Sequence, residues 1–269
     1  MPDFHPLKSI TELKKAAHIK KTINNLMNNS PDIEQNNNNN QPDRISDSDL
    51  ALLRMLAEEG QASAQYNLGV MYESGSGVGR NYALAAAWFC KAAEQGHAKA
   101  QYNLGVCYAK GRGVPQDETE AVRWYLKSAE QWYVNAQFNL AHDYAAGFGV
   151  ERNDAEAAKW FRKAAEQGDA EAQRDLGMMY IAGRGVPKDE AEAAQWFHKA
   201  AEQGDGRAQV ALSVMYFNGK GVPKDDDEAV NWFRKAAEQD EAGAAYIMGL
   251  VNDADQDAAK DANEQSSAQ

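Results

Sequence analysis

Apolar and small residues recur along most of this chain with the spacing of a helix face, and the whole pattern repeats every 36 residues. In the first full copy the stripe is Ala64, Leu68, Gly69 and Tyr72, whose spacing predicts an amphipathic helix. Equivalent stripes begin at Ala64, Ala100, Ala136, Ala172 and Ala208. A fixed period of this length is typical of a solenoid, because one unit is too small to bury its apolar face and stacks on its neighbours.

Each copy contains a second predicted helix after a pair of glycines. The pairs are Gly75/Gly77, Gly111/Gly113, Gly147/Gly149, Gly183/Gly185 and Gly219/Gly221. No predicted strand precedes them and no Lys-Ser/Thr follows, so they are predicted to be turns rather than phosphate-binding loops. The second helix carries an aromatic pair, which we expect in the core: Trp88-Phe89, Trp124-Tyr125, Trp160-Phe161, Trp196-Phe197 and Trp232-Phe233.

Polar residues mark the start of each second helix. The predicted N-caps, whose side chains can accept from the N–H groups of the first turn, are Asn81, Asp117, Asn153, Asp189 and Asp225. Three residues later, a glutamate predicts a capping box in four copies, at Glu120, Glu156, Glu192 and Glu228, and only Leu84 departs. Gly96, Gly168 and Gly204 are expected to end these helices in the left-handed conformation.

The repeated motif A-x-x-x-L-G-x-x-Y-x-x-G-x-G-V-x-x-D-x-x-x-A-x-x-W-[FY]-x-K-A-A-E-Q-G resembles the Sel-one-like repeat, a relative of the tetratricopeptide repeat. The resemblance implies an all-α, right-handed superhelical solenoid of antiparallel helix pairs, with first helices lining the concave side. It also implies adaptor or scaffold roles, often in bacterial signalling, envelope assembly or host interaction. Cysteine-rich relatives linked with penicillin binding carry regularly spaced disulfide-forming cysteines, which this chain lacks, so that activity is not carried over.

Three segments are predicted. Residues 1–45 form an N-terminal tail with an Asn-rich linker predicted to be disordered, residues 46–252 the repeat solenoid with a capping half-repeat at each end, and residues 253–269 an acidic C-terminal tail. Between Leu7 and Met27, apolar residues fall roughly on one face and lysines elsewhere, as in an amphipathic helix. Such a segment could dock on the acidic solenoid, anchor on a membrane surface or form a loosely ordered tail.

Acidic residues outnumber basic ones, 40 to 28, and the formal net charge is −12. An acidic body without a basic stripe argues against a nucleic-acid partner. It is compatible with a basic or neutral protein partner, and equally with an outer face that is simply solvated.

The two cysteines, Cys90 and Cys107, stand in no CxxC and in no Cys/His cluster, so we expect no disulfide framework, metal or cofactor. No run of roughly 18 apolar residues is present, and no membrane association is expected. The N-terminus lacks the apolar stretch of a secretory signal. We therefore expect a cytoplasmic protein, whose oligomeric state the sequence leaves open.

If first helices line a groove, a protein or peptide partner would meet the positions between their core residues. This surface is unusually apolar, which is typical of binding sites, although neighbouring turns could cover much of it. An asparagine ladder beside the aromatics could hold a peptide backbone. The candidate residues are Tyr66, Asn67, Val70, Tyr102, Asn103, Val106, Phe138, Asn139, His142, Arg174, Met178, Ile181, Val214 and Phe217.

One repeat departs from the glycine pattern, because Trp132 stands where Gly96 and Gly168 stand in their copies. A left-handed conformation would cost this residue about 1–2 kcal/mol. Either the helix runs on, or the turn is rebuilt to expose Trp132 and Tyr133 as a pair of interface anchors. Local repacking without function is the alternative, as it is at Asp240, the other lost glycine.

No serine or cysteine lies in a nucleophile motif, and the neighbours His142 and Asp143 do not face each other on a helix. We therefore expect no enzyme but a non-catalytic scaffold or adaptor that binds a protein or peptide in the groove. One alternative is a translocated effector that uses its N-terminus as an uncleaved, non-classical secretion signal. Another is a weak hydrolase that depends on His142.

Overall fold

The computed structural model describes residues 45–239, and this part of the chain is helical, without strands. The helices are α1 (Asp47–Glu58), α2 (Ala62–Ser74), α3 (Tyr82–Glu94), α4 (Ala98–Lys110), α5 (Glu118–Glu130), α6 (Val134–Ala146), α7 (Asp154–Glu166), α8 (Ala170–Ala182), α9 (Glu190–Glu202), α10 (Gly206–Asn218) and α11 (Asp226–Ala237). The predictions for the N-terminal segment and linker, Asp240, the C-terminal half-repeat and the acidic tail lie outside the described residues.

The first helices of the five repeats are α2, α4, α6, α8 and α10. Each packs most extensively on the second helix that follows it, and that helix packs on the first helix of the next repeat. Helix α1 takes the place of a second helix ahead of the first full repeat. Because the helices pack on their chain neighbours, the array is a solenoid, and the predicted all-α fold with its 36-residue period is confirmed.

The predicted N-caps are confirmed, but the capping box forms only half of its bonds. The Asp117 carboxylate accepts from the backbone N–H of Glu120 at 2.9 Å. In the opposite direction, the backbone N–H of Asp117 donates to the carbonyl of Tyr108 at 3.0 Å instead of to a glutamate. The other four caps donate in the same way to a first-helix tyrosine. The predicted reciprocal glutamate bond is therefore wrong, because the turn between the helices already satisfies that donor.

The glycine pairs lie in the turns, as predicted. Gly147 ends α6 in the left-handed region with φ of 80°. The second glycine of the same pair approaches the preceding repeat, and a Cβ on Gly149 would lie 2.1 Å from the carbonyl oxygen of Glu118 at the start of α5. Only glycine fits such a contact, so this turn also joins one repeat to the one before it.

The tryptophans of the second helices belong to the core, as predicted. Four of them, Trp124, Trp160, Trp196 and Trp232, are buried, and Trp88 is half-buried. The lysine three residues later covers each ring with its ammonium 3.8–4.0 Å from the centroid, in the pairs Trp88–Lys91, Trp124–Lys127, Trp160–Lys163, Trp196–Lys199 and Trp232–Lys235. This cation–π contact repeats with the period of the solenoid.

A ladder of buried glutamines also connects the repeats. Gln137 donates to the carbonyl of Ala129 at 3.1 Å and accepts from the side chain of Gln167 at 2.8 Å. The same two bonds recur at the equivalent glutamines Gln65, Gln101, Gln173 and Gln209. Each ladder glutamine therefore links the second helix of the preceding repeat to the end of the second helix of its own.

Candidate binding surface on the first helices

The three aromatic residues predicted to line the groove are half-buried. The rings of Tyr66, Tyr102 and Phe138 lie 6.0, 5.8 and 5.9 Å from those of Phe89, Tyr125 and Phe161 on the following second helices. These are ordinary aromatic packing distances. Each of the three residues therefore packs against the core aromatic residue of its own repeat.

The same position also contacts the N-cap of the next first helix, 31 residues later. Tyr66 stacks on His97 at 4.8 Å, and Tyr102 meets Tyr133 edge-on at 5.2 Å. In the fourth repeat an ion pair replaces the ring contact, because Arg174 donates to Asp205 at 2.9 Å. This position therefore joins adjacent repeats, and a further part in partner binding stays a prediction.

The predicted asparagine ladder and its valines are partly covered. Asn67, Asn103, Val70 and Val106 are half-buried. The side chain of Asn139 bonds the hydroxyl of Tyr125 on α5, so it serves the core of the preceding repeat. No contact in the structure tests the ladder as a peptide-binding element.

A charged network crosses the middle of the first-helix face. His142 of α6 pairs with Asp175 of α8 at 3.1 Å, and Asp175 accepts from Arg174 at 2.9 Å. Arg174 extends the network to Asp205 at the start of α10. Burial alone would raise the pKa of Asp175, but the hydrogen bonds from His142 and Arg174 hold it below its ordinary value. The network thus links three consecutive first helices.

Apolar side chains are exposed beyond this network. Met178 of α8 is 53% exposed, and Val210, Val214 and Phe217 of α10 are 38%, 45% and 58% exposed. The three α10 residues follow at four- and three-residue spacing, so they form one stripe along the helix. We call these four residues the apolar patch; the predicted residue Ile181, on the same helix as Met178, is half-buried. They are half of the eight large hydrophobic residues exposed among residues 45–239, so the exposure is concentrated on this face.

One carboxyl group lies where the other repeats place sulfur-containing side chains. Asp143 of α6 occupies the position of Met71, Cys107, Met179 and Met215. It lines a cavity of about 130 Å³ together with Ala109, Glu118, Ala121 and Phe148. Burial raises the pKa of Asp143 to about 7 from 3.8, although the neighbouring His142 lowers it, and Glu118 adds to the rise. The neutral, protonated form of this side chain therefore predominates only below about pH 7.

Trp132 keeps the backbone of the glycines that it replaces. Helix α5 ends at Glu130, and the N–H of Trp132 donates to Ala129 at 3.0 Å, as the N–H of Gly96 does to Ala93. With φ of 65°, Trp132 is the only non-glycine residue with a positive φ among residues 45–239. Both predicted alternatives are therefore wrong: the helix does not run on, and the turn is not rebuilt.

Trp132 and Tyr133 also face different surroundings. The indole of Trp132 is 63% exposed. Tyr133 is half-buried, because its ring packs against Tyr102. The predicted exposed pair is thus a single exposed tryptophan beside a packed tyrosine.

Sequence reasoning missed the pairing of His142 with Asp175, the partial burial of Asp143 and the glutamine ladder. A signal for the repeat-to-repeat contacts is present in three of the residue pairs that lie 31 positions apart, because the two members of each pair have matching chemistry. Aromatic Tyr66 and Tyr102 face His97 and Tyr133, whereas Arg174 faces Asp205. Comparing pairs of positions, rather than single positions, would have found it.

These features place the protein in the class of helical-repeat solenoids. In such proteins, as in tetratricopeptide-like repeats, antiparallel helix pairs stack in a row, and here the first helices carry a partly apolar face. The family model for the Sel1 repeat matches residues 62–97, 98–131, 134–169, 170–205 and 206–241. The chain belongs to the Sel1 repeat family, and proteins built from this repeat are generally protein-interaction scaffolds.

Two solved structures of bacterial proteins are similar over most of this chain. A protective antigen of uropathogenic Escherichia coli, c5321, with the same repeat fold, is 44% identical with a TM-score of 0.70, and the match covers 72% of this chain and 42% of that protein. A Sel1 repeat protein from Oxalobacter formigenes is 40% identical with a TM-score of 0.68, covering 71% of this chain and 79% of that one. This chain thus spans less than half the length of the E. coli protein. The comparison with curated proteins gave no match.

Within residues 45–239, no helix is long and apolar enough to cross a membrane. The same region contains no cluster of three or more His, Cys, Asp or Glu side chains able to hold a metal ion.

Proposed function

We propose that this protein is a non-catalytic scaffold that binds a protein partner through the first-helix face of its last two repeats. The observation that carries the proposal is the apolar patch, with Met178 and Phe217 each more than half exposed. Large apolar side chains exposed together are typical of interaction sites. A partner helix with its own apolar stripe fits this surface, because Val210, Val214 and Phe217 form a stripe on α10.

The charged network beside the patch supports the same surface. Arg174 is only 15% exposed and pairs with three carboxylates, so its orientation is set before a partner arrives. His142 is half exposed at the border of the network and keeps contact with solvent. A fixed polar border around an apolar centre is the usual arrangement of a protein interface.

An affinity purification tests the proposal. The full chain is used as bait in a lysate of the cells that produce it, beside a Val214→Ser/Phe217→Ser variant. A Leu84→Ser variant is the control, because Leu84 is 42% exposed on a second helix, outside the patch. We expect the double variant to lose a partner that the wild type and the control retain, with melting temperatures unchanged. Equal retention by all three would contradict the proposal.

A second candidate is a translocated effector that acts on host proteins. The observation that favours it is the similarity to c5321, which is described as a protective antigen, because an antigen of that kind is met by the host. In this candidate residues 1–45 act as an uncleaved secretion signal, whereas the first proposal places the protein in the cytoplasm. A secretion assay with residues 1–45 deleted separates the two: export of the full chain but not of the shortened chain would support the effector.

A further inference from the structure

Trp132 combines an unfavourable backbone with an exposed side chain. Its φ of 65° lies in the region where Gly96, Gly168 and Gly204 have φ of 86°, 95° and 91°. A Cβ built on Gly96 or Gly168 meets no atom within 4 Å, so a side chain at this position projects away from the solenoid. Left-handed backbone is unfavourable for any residue with a Cβ, and an indole that is 63% exposed gains little burial in return. The contacts among residues 45–239 therefore do not explain the tryptophan.

The charges around Trp132 indicate the charge of a partner segment that would bind there. Glu130, two residues earlier, is exposed and forms no ion pair among residues 45–239. The nearest lysine on α5, Lys127, is occupied over the ring of Trp124 at 3.8 Å. Exposed glutamates stand at the equivalent positions along the same edge, at Glu58, Glu94, Glu166, Glu202 and Glu238. This edge therefore presents one aromatic face among negative charges.

We propose that Trp132 anchors a basic segment of a partner protein at the edge where the second helices end. The face of an indole attracts lysine and arginine side chains, and tryptophan is among the residues that dominate binding at interfaces. Glu130 adds attraction for the same cations. The acidic edge disfavours nucleic acid and anionic membranes for the same reason. Trp132 is not part of the apolar patch, so this proposal does not depend on partner binding at the first-helix face.

Fluorescence anisotropy with a labelled octa-arginine peptide tests this proposal on the full chain. An octa-glutamate peptide is the charge control. We expect saturable binding of octa-arginine that weakens as salt is added, and at least a tenfold weaker affinity in Trp132→Gly. Glu130→Gln should weaken binding more than Glu166→Gln, the matched change one repeat later. Trp132→Gly/Gly168→Trp, which moves the indole by one repeat, should recover part of the affinity.

Thermal melting separates an anchor from a structural residue. Because glycine suits the left-handed turn, Trp132→Gly should melt at a higher temperature than the wild type while it binds more weakly. The proposal is overturned if Trp132→Gly binds octa-arginine within twofold of the wild type. It is also overturned if that variant loses stability and affinity together, or if Trp132 mediates binding to phosphatidylcholine vesicles instead of the peptide.

Discussion

Asp143 is a side chain in the third repeat that lowers the stability of the folded protein at high pH. The other repeats place methionine or cysteine in its position, and burial raises its pKa from 3.8 to about 7. Between these values the folded protein binds more protons at this site than the unfolded chain does. The contribution of Asp143 to stability is therefore greatest below about pH 4 and declines as the pH rises towards 7.

Asp143→Met is expected to stabilise the protein at pH 8 by about 1–3 kcal/mol, because it removes a half-buried charge and fills space beside the cavity. At pH 5 the gain should be smaller, since the wild-type carboxyl is then mostly protonated. Urea unfolding at the two pH values measures the difference. Asp227→Asn, at an exposed position, is the control and should show little change. A gain that does not depend on pH, or a loss at pH 8, would contradict the assignment.

Trp132→Gly should raise the free energy of unfolding by about 1 kcal/mol, because the left-handed turn suits glycine and the exposed indole contributes little packing. Gly96→Ala is the converse change at the equivalent turn, where a Cβ meets no neighbour. It should destabilise the protein by a similar amount. Chemical denaturation of the two variants measures both effects, and a destabilised Trp132→Gly would show that the indole packs more than its exposure indicates.

Among the turns, two glycines that both have positive φ contribute differently to stability. Gly149 has φ of 64° and Gly168 has φ of 95°, but only a Cβ on Gly149 would collide with another backbone, at Glu118. Gly149→Ala should therefore cost about 2–4 kcal/mol of unfolding free energy, whereas Gly168→Ala should cost about 1 kcal/mol for backbone strain alone. Urea unfolding of the matched pair checks this. Equal losses would mean that the turn does not hold the preceding repeat.

The sequence predicts most of these elements because their causes are local. The helix period, the N-cap residues such as Asp117 and the left-handed glycines such as Gly147 each depend on a few neighbouring residues. The capping box was wrong at one bond because the carbonyl of Tyr108, nine residues earlier, takes the N–H of Asp117. That competition depends on how the turn folds back, which helix patterns do not show.

At the scale of the whole molecule, the contacts missed by the sequence are those between repeats. His142 and Asp175 meet because successive first helices lie side by side at a particular offset. The burial of the ladder glutamines could not be predicted, because a polar residue is expected at the surface unless its hydrogen-bond partners are known. The candidate surface is predicted from sequence as an apolar groove along all the first helices. In the structure Tyr66 and Tyr102 are half-buried in contacts between repeats, whereas the predicted residues Met178, Val214 and Phe217 are exposed further along.

Gln137→Met tests whether the glutamine ladder couples the repeats. The change keeps the volume but leaves the side-chain amide of Gln167 without its partner and removes one of the hydrogen bonds that the carbonyl of Ala129 accepts, at a cost of about 1–3 kcal/mol. The urea transition should also broaden, because neighbouring repeats are less strongly coupled. Gln116→Met is the control, since Gln116 is exposed and bonds one carbonyl at the surface. An equal, sharp transition in both variants would contradict a coupling role.

Site-specific photocrosslinking in the producing cells tests whether the apolar patch is the surface that contacts the partner protein. A photoreactive amino acid replaces Val214 in one variant and Leu84, an equally exposed apolar residue on a second helix, in another. We expect a discrete crosslinked protein from position 214 and none from position 84. A crosslink from position 84 alone, or the same products from both positions, would contradict it.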